Sequence, residues 1–202
     1  EPVQAVDTSE PAEHVSAEPA GPFGVPAGTS KAKRREINAA AAAIVNGDAT
    51  ITEVDRVVLR QYSGNGGCGD SLNEFYTVPD VAAAMWTVLG KLGVVSGTVL
   101  EPSCATGVFM HTAPAGMRVT GVEMDPTSAA IAAVLHGDRH EIINSSLERF
   151  TTTDGVRQFD AVIGNAPFGI RGSLVKDDKS NLKTTEGYFL DTSLDKTKAG
   201  GV

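Results

Sequence analysis

Two hydrophobic patterns alternate along the chain from residue 72 onward. Short apolar, β-favouring runs are separated by turn-forming residues or by apolar residues at helical spacing, such as Val81, Met85 and Val88. The strand-like runs are residues 98–100, 119–122, 142–143 and 161–163. Strands that alternate with helices predict a parallel, doubly wound α/β sheet with right-handed crossovers. Ligands bind such sheets at the carboxyl ends of the strands, where the strand order reverses.

Two helices are predicted before this sheet. The Ala-rich segment from Lys31 to about Val45 favours a helix, because Ala has the highest helix propensity, and Asn46-Gly47 ends it. Thr50 is expected to cap a second helix. The expected apolar side of that helix consists of Val54, Val57, Val58 and Leu59. A loop is expected to follow at Gly64, Gly66 and Gly67.

The segment before the helices is rich in Pro and acidic residues. No Lys or Arg occurs before Lys31, and such a composition cannot bury enough apolar surface to offset the ordering of its backbone. We therefore expect a disordered linker at 1–30, a helical lead-in at 31–71 and an α/β domain at 72–202. That domain is expected to be incomplete at its C-terminus, because residues 199–202 resemble the turn before a fifth strand.

Composition restricts the possible functions further. The 202 residues, 41% of them hydrophobic, suffice for one medium domain, and the net charge of -8 argues against a complete DNA-binding protein, which usually has a basic stripe. Cys68 and Cys104 form no CxxC pair, so we expect reduced thiols and no metal site. The histidines at 111, 136 and 140 show no partner pattern and are interpreted as structural or surface residues. No membrane-spanning run or signal peptide is recognised, so a cytoplasmic protein is expected.

Two predicted strand ends carry features of a nucleoside site. The first strand ends in the small-residue turn 101–107, where the backbone can approach a ligand and the next helix offers unpaired N–H groups. Glu101 in this turn suits a cationic or hydroxyl-bearing ligand. Glu123, which ends the second strand about twenty residues later, has the spacing of an acid that accepts hydrogen bonds from ribose. An ordinary turn and a solvated carboxylate are the alternatives.

The fourth predicted strand ends in Asn165-Ala166-Pro167-Phe168. An Asn carbonyl and a neighbouring backbone carbonyl can accept two hydrogen bonds from one exocyclic amino group, and Phe168 can stack on a flat base. A flipped adenine needs this set of contacts. The alternative interpretation is a type I turn followed by a core aromatic residue.

Taken in this order, the motifs resemble those of the adenine-N6 DNA methyltransferases. Residues 75–79 resemble the family's Phe-x-Thr-Pro-Pro segment, 101–107 the S-adenosylmethionine turn, and 165–168 the catalytic Asn-Pro-Pro-Phe/Tyr. The order is similar to the gamma arrangement, in which target recognition follows the catalytic half. The resemblance implies a Rossmann-like class I S-adenosylmethionine-dependent methyltransferase fold, S-adenosylmethionine as cofactor and adenine N6 in duplex DNA as target.

An upstream segment narrows the resemblance. Residues 51–59 and 61–67 are similar to the Tyr-x-Gly-Trp-Gly-Gly lead-in of large phage and plasmid proteins that join a methyltransferase to a helicase-like region. Those proteins also replace one Pro of the tetrapeptide, as Ala166 does here. The resemblance implies DNA methylation in a restriction or anti-restriction context, a helicase-like region in the same full-length chain, and the cytoplasm of a bacterial or phage-infected cell.

The resemblance also implies residue roles. The border of the cofactor's methionine part would be formed by Tyr76, Thr77 and Pro79. The floor of the pocket would be formed by Glu101, Pro102, Cys104 and Gly107. The ribose and adenine side would be formed by Glu123, Met124 and Ser146. The catalytic set would be Asn165, Ala166, Pro167 and Phe168, in which Asn165 and the Ala166 carbonyl bind the target amino group and Phe168 stacks on the base.

Three positions depart from the family pattern. Asn65 replaces a Trp, Val78 replaces a Pro, and Ala105 stands where Gly is common. A positive φ at Ala105 would cost about 1 kcal/mol or more of backbone strain. Three alternatives therefore stay open: an RNA adenine-N6 methyltransferase, a protein glutamine-N5 methyltransferase, and a catalytically silent binding or structural module of a large mobile-element protein.

Overall fold

The computed structural model describes residues 23–68, 76–153, 156–168 and 184–202. Most of the predicted linker and Phe75 lie outside these ranges. The helices are α1 Lys31–Asn46, α2 Glu53–Leu59, α3 Gly64–Cys68, α4 Pro79–Lys91, α5 Val108–His111, α6 Pro126–His136, α7 Leu147–Thr153 and α8 Thr185–Lys196. The strands are β1 Gly97–Glu101, β2 Met117–Glu123, β3 Glu141–Asn144 and β4 Ala161–Val162. No helix within the described ranges is long and apolar enough to cross a bilayer.

The four strands form one parallel sheet in the order β3-β2-β1-β4. Val99 of the central strand β1 lies opposite Val119 on one side and Ala161 on the other. Beyond β4, the Val162 amide donates to the Val202 carbonyl at 2.8 Å, and the Val202 amide donates to Asp160 at 3.2 Å. The predicted parallel α/β sheet is confirmed, and Val202 begins a further strand-like pairing.

Helices cover both faces of the sheet, which explains why its strands read as continuous apolar runs. Successive residues of a strand point to opposite faces, so Val99 and Leu100 of β1 enter different clusters. The first cluster includes Ala82, Trp86, Leu89, Val99, Phe109, Val119 and Ile163. The second includes Leu100, Val122, Leu147, Phe150, Phe159 and Tyr188. The sheet is therefore buried on both sides and exposes its ends.

The lead-in helices pack on α6 through a third cluster, formed by Ala41, Leu59 and Ile131. Residues 23–30, the last part of the predicted linker, also pack on the protein. Phe23 lies against the first core cluster, and the Gly24 amide donates to the Arg60 carbonyl at 2.8 Å. The structure differs here from the predicted linker, because the Phe23 ring, the Gly24 hydrogen bond and a 3.1 Å hydrogen bond from the Arg34 side chain to the Thr29 carbonyl hold this stretch.

Several predicted details of the lead-in are wrong. Thr52, not Thr50, caps α2: its hydroxyl oxygen accepts from the Asp55 amide and the Asp55 carboxylate accepts from the Thr52 amide, which is a capping box. The expected loop at residues 64–67 is the short helix α3, whose Gly64 carbonyl accepts a 2.7 Å hydrogen bond from the Asn38 side chain.

The predicted apolar side of α2 is also wrong in part. Leu59 is fully buried, but Val54 and Val57 are exposed. The seven-residue helix spans about two turns, so only a narrow strip of it faces α1 and α6. The spacing of apolar residues along the sequence therefore did not predict which residues of α2 are buried.

The packing opposite the β1 turn generates a stability prediction. A Cβ added to Gly121 of β2 would lie 2.7 Å from the Cys104 Sγ atom, inside a filled part of the core. Gly121→Ala should therefore lower the free energy of unfolding by about 1–3 kcal/mol, the usual cost of overpacking. Urea unfolding followed by circular dichroism measures this change.

Gly90→Ala is the matched control, because a Cβ added there meets no atom within 4 Å. Gly90 lies in α4, where Ala is the better helix former, so this variant should gain roughly 0.5 kcal/mol. A Gly121→Ala variant that unfolds at the same urea concentration as the parent would contradict the described packing.

Candidate active site

A shallow cleft lies at the carboxyl ends of β1 and β4, where the strand order reverses. Its lining includes five residues predicted from the sequence: Tyr76, Thr77, Glu101, Cys104 and Asn165. It also includes residues that were not predicted as binding residues: Ser103, Ala105, Thr106, Val108 and Phe109. The five predicted residues therefore meet at the carboxyl edge of the sheet. The other lining residues are added by tertiary packing.

The turn after β1 has a defined backbone geometry. The Cys104 amide donates to the Val122 carbonyl of β2 at 3.0 Å, and the Gly107 amide donates to the Cys104 carbonyl at 2.8 Å. Gly107 has φ +86°, a left-handed conformation that Gly adopts without penalty. Ala105 has φ +47°, which costs a residue with a Cβ about 1 kcal/mol or more. The departure at Ala105 is therefore a strained position.

Glu101 is the most unusual group in the cleft. Glu101 is only 2% exposed, and its Oε2 atom has no hydrogen-bond partner within the described residues. Burial, and secondly the charge of Glu123, raise the pKa of the Glu101 carboxyl well above its usual value. Buried polar atoms almost always have a partner, so an unpaired carboxyl oxygen facing a cleft indicates a position for a cationic or hydrogen-donating group.

Glu123 connects the second strand to the turn. One carboxylate oxygen accepts from the Ala105 amide at 2.8 Å, and the other accepts from the Asp125 amide at 2.7 Å. Burial raises the pKa of Glu123, and these backbone hydrogen bonds partly offset that effect. Each carboxylate oxygen can accept a second hydrogen bond, so Glu123 keeps acceptor capacity for a hydroxyl group.

Neither Glu123 nor the remaining predicted cofactor residues line the described cavity. Met124 is 73% exposed beside Glu123, and the Ser146 hydroxyl accepts from the Arg149 amide at the start of α7. Pro79 is the first residue of α4, and Pro102 is buried in the turn after β1. Gly107 lies one residue beyond the lining residue Thr106, before α5.

The predicted catalytic tetrapeptide follows β4 after Ile163 and Gly164. The Ile163 amide still donates to the Leu100 carbonyl at 2.9 Å, so the chain stays beside β1 until the tetrapeptide begins. Asn165 then lines the cleft, and its backbone carbonyl accepts a 3.3 Å hydrogen bond from the Ser103 hydroxyl. Phe168 is 44% exposed. The turn after β1 and the tetrapeptide are therefore in direct contact.

Metal and thiol chemistry find little support in the described ranges. Within them, no group of three or more His, Cys, Asp or Glu residues lies close enough to hold a metal ion. Both cysteines are unpaired and buried, as expected. Burial, and secondly the charges of Glu101 and Glu123, raise the pKa of Cys104 well above its usual value, so its thiol stays protonated near neutral pH.

Comparisons with known sequences give two kinds of relative. No protein-family model matches the chain. The chain is 37% identical over 173 residues to "Defense against restriction protein B" of Escherichia phage P1, covering 83% of this chain and 8% of that protein. It is 35% identical over 112 residues to the type II methyltransferase M.CvrRI of Paramecium bursaria Chlorella virus XZ-6E, covering 54% and 28%. The chain thus spans under a third of the length of either relative.

Solved structures give the fold class. A type I restriction-modification methyltransferase subunit from Streptococcus thermophilus superposes with a TM-score of 0.55 at 20% identity, covering 74% of this chain and 37% of that one. A putative class I S-adenosylmethionine-dependent methyltransferase from Listeria monocytogenes gives 0.52 at 14% identity, covering 86% and 53%. The fold is that of the class I S-adenosylmethionine-dependent methyltransferases. Within that class, the chain resembles type II DNA methyltransferases and the phage defense-against-restriction protein.

The buried acid generates a pH-dependence prediction. The folded protein holds the Glu101 proton more tightly than the unfolded chain, so its stabilising contribution is complete below the ordinary pKa of 4.5 and is lost as pH rises. Glu101→Gln should therefore match the parent near pH 4 and exceed its free energy of unfolding at pH 7 by roughly 1–3 kcal/mol, a typical penalty of a buried group left unpaired.

Urea unfolding between pH 4 and pH 8 measures this difference. Glu148→Gln, the same substitution at a half-exposed carboxylate of α7, is the control and should follow the parent at every pH. A Glu101→Gln protein that loses stability relative to the parent as pH rises would reverse the predicted sign.

Proposed function

We propose that the chain forms the cofactor-binding and catalytic part of an adenine-N6 DNA methyltransferase. The observation that carries this proposal is the joint position of two side chains. Glu101 ends β1 and Asn165 follows the neighbouring strand β4, and both line one cleft. A methyl donor held by the first turn would thereby lie next to an acceptor held by the second.

The chemistry of the cleft lining supports S-adenosylmethionine as the ligand. This molecule carries a positively charged sulfonium and an ammonium group. The buried Glu101 Oε2 atom has no hydrogen-bond partner within the described residues, so it would interact with one of these groups. Glu123 has acceptor capacity for ribose hydroxyls, and Tyr76 and Thr77 would border the methionine part. Met124, at the exposed edge beside Glu123, would lie against the adenine ring. When bound, S-adenosylmethionine supplies the methyl group from its sulfonium.

The tetrapeptide would hold the target base. The Asn165 side-chain carbonyl and the Ala166 backbone carbonyl would accept the two hydrogen bonds of the adenine amino group, which orients the nitrogen lone pair toward the cofactor turn. As positive charge develops on that nitrogen, the same two carbonyl dipoles stabilise it. Phe168, which is 44% exposed at the end of the tetrapeptide, would stack on the flipped base. Ala166 keeps this role open because only its backbone is used.

The similarity to type II methyltransferases and to the phage protein favours DNA as substrate over RNA or protein glutamine. It also supports a role in restriction or anti-restriction. The helicase-like region in the full-length chain and the cytoplasm of a bacterial or infected cell are proposed from the sequence resemblance alone. The strained Ala105 favours one alternative of a different class, a module of the same fold that no longer catalyses transfer.

Labelled methyl transfer tests the proposal. The longest natural polypeptide that contains this chain is incubated with S-adenosylmethionine carrying a labelled methyl group and, separately, with duplex DNA, RNA and a protein extract. Label should appear in N6-methyl-2′-deoxyadenosine from the DNA. Asn165→Ala should lower the rate at least about 100-fold, since it removes a dipole aimed at the developing charge, and leave cofactor affinity nearly unchanged.

Asn46→Ala is the matched control, because the side chain of this Asn donates to the Ala42 carbonyl of its own helix, and Asn46 is absent from the cleft lining. Near-normal turnover of Asn165→Ala would overturn the assigned mechanism. Label in RNA or in glutamine would keep the cofactor site and change the substrate. No label and no cofactor binding would establish the catalytically silent module.

A further inference from the structure

The cofactor turn, residues 104–107, contains a strained position that its surroundings must maintain. Ala105 lies in the left-handed region at φ +47°, two residues before Gly107 at φ +86°. A residue with a Cβ persists in this region only where neighbouring contacts determine its conformation. The contacts around the turn therefore indicate which groups keep Ala105 in place.

The cofactor turn makes hydrogen bonds to two neighbouring elements, β2 and α6. From β2, the Val122 carbonyl accepts from the Cys104 amide at 3.0 Å, and Glu123 accepts from the Ala105 amide at 2.8 Å. From α6, His136 contacts the other end of the turn, with its Nε2 atom 3.2 Å from the Thr106 carbonyl oxygen. Strand and helix thus hold opposite ends of the peptide segment that contains the strained residue.

His136 packs directly on this segment. It is the last residue of α6 and is 7% exposed. A Cβ added at Gly107 would lie 2.6 Å from the His136 ring, so ring and backbone are in tight contact. The ring also lies near Phe23 and His111, with centroid distances of 6.0 and 6.2 Å. His136 is absent from the cleft lining and touches the turn from behind.

The hydrogen bond defines the protonation state of the ring. A carbonyl oxygen only accepts, so Nε2 must carry a proton and donate it to Thr106. Burial, and then the neighbouring His111 and His140, hold the pKa of His136 down at about 3, with Asp138 as the opposing acid. The ring is therefore neutral at physiological pH.

We propose that His136 is a positioning residue for the cofactor turn, whose Nε2–H group fixes the Thr106 carbonyl and so maintains Ala105 in its left-handed conformation. The role of the turn in holding the cofactor rests on the proposed function. The coupling between His136 and Ala105 is a property of the turn itself and is measurable without any ligand.

Three substitutions separate this role from general packing. His136→Met fills the space but leaves the Thr106 carbonyl without its donor, so Ala105 relaxes to a negative φ in part of the molecules. His136→Gln restores an N–H donor at a similar reach. Ala105→Gly removes the penalty of the left-handed conformation, so it should suppress the effect of His136→Met in the double variant.

Amide hydrogen exchange, followed by nuclear magnetic resonance, is the primary readout. In His136→Met, the amides of Ala105 and Gly107 should exchange roughly tenfold faster than in the parent, the equivalent of one lost hydrogen bond. In His136→Gln and in the double variant, the rates should return to within about threefold of the parent.

His140→Met is the matched control, since it removes another buried imidazole, whose Nδ1 accepts from the Val119 amide on β2. It should leave exchange at Ala105 and Gly107 unchanged. Faster exchange in His140→Met equal to that in His136→Met would show a general loss of stability and overturn the positioning role. Unchanged exchange in His136→Met, or no recovery in both the Gln and the double variant, would overturn it as well.

Calorimetric binding of S-adenosylhomocysteine to the same proteins is the second readout. The dissociation constant should rise roughly tenfold in His136→Met, because fewer molecules hold the competent turn, and recover in the other two variants. Parent protein that binds no S-adenosylhomocysteine, combined with the predicted exchange pattern, would refute the proposed function and support the positioning role. Binding that is normal in His136→Met would refute the role and leave the proposed function intact.

Discussion

The buried carboxyl group of Glu101, whose Oε2 atom has no hydrogen-bond partner among the described residues, is the constraint on which the site depends. It lies at the end of the central strand, where burial in a protein interior penalises its charge. A second acid, Glu123, ends the adjacent strand and increases that penalty. A fold that served stability alone would place an apolar or paired residue here. The cleft therefore contains an unfavourable interaction that a cationic ligand would relieve, and in the proposed function this links the sheet's architecture to the methyl donor.

The sheet determines which groups can meet that ligand. Because all strands run parallel, the turns after β1 and β4 emerge at the same edge, and a hydrogen bond from Ser103 to the Asn165 carbonyl joins them. The cofactor turn in turn depends on β2 through Glu123 and on α6 through His136. Binding chemistry and structural support thus come from different elements, so substitutions behind the turn can change affinity without touching the ligand.

Much of this arrangement could be predicted from the sequence because its signals are local. Glu101 and Asn165 follow apolar runs, and strand direction alone places such residues at one edge. Phe109 and Thr106 were not predicted in the lining, because their position depends on how α5 packs. His136 was interpreted as structural or surface, and no spacing rule connects it with a carbonyl 30 residues away. Contacts between distant segments were invisible to pattern analysis.

Local capping chemistry was misassigned for a different reason. The capping-box spacing from Thr52 to Asp55 was present in the sequence, but Thr50 was chosen as the cap. The helix at 64–68 was not predicted because Gly has a low helix propensity. A tertiary contact, the hydrogen bond from the Asn38 side chain of α1, helps to hold this segment in a helix.

A titration of the isotope-labelled chain with S-adenosylhomocysteine, followed by nuclear magnetic resonance, tests the central claim most directly. If the ends of β1, β2 and β4 form one cofactor site, the largest amide shifts will fall on residues 101–107, Thr77, Glu123 and Asn165. Shifts confined to other parts of the chain, or none at saturating ligand in a folded protein, would contradict the cofactor site described around Glu101.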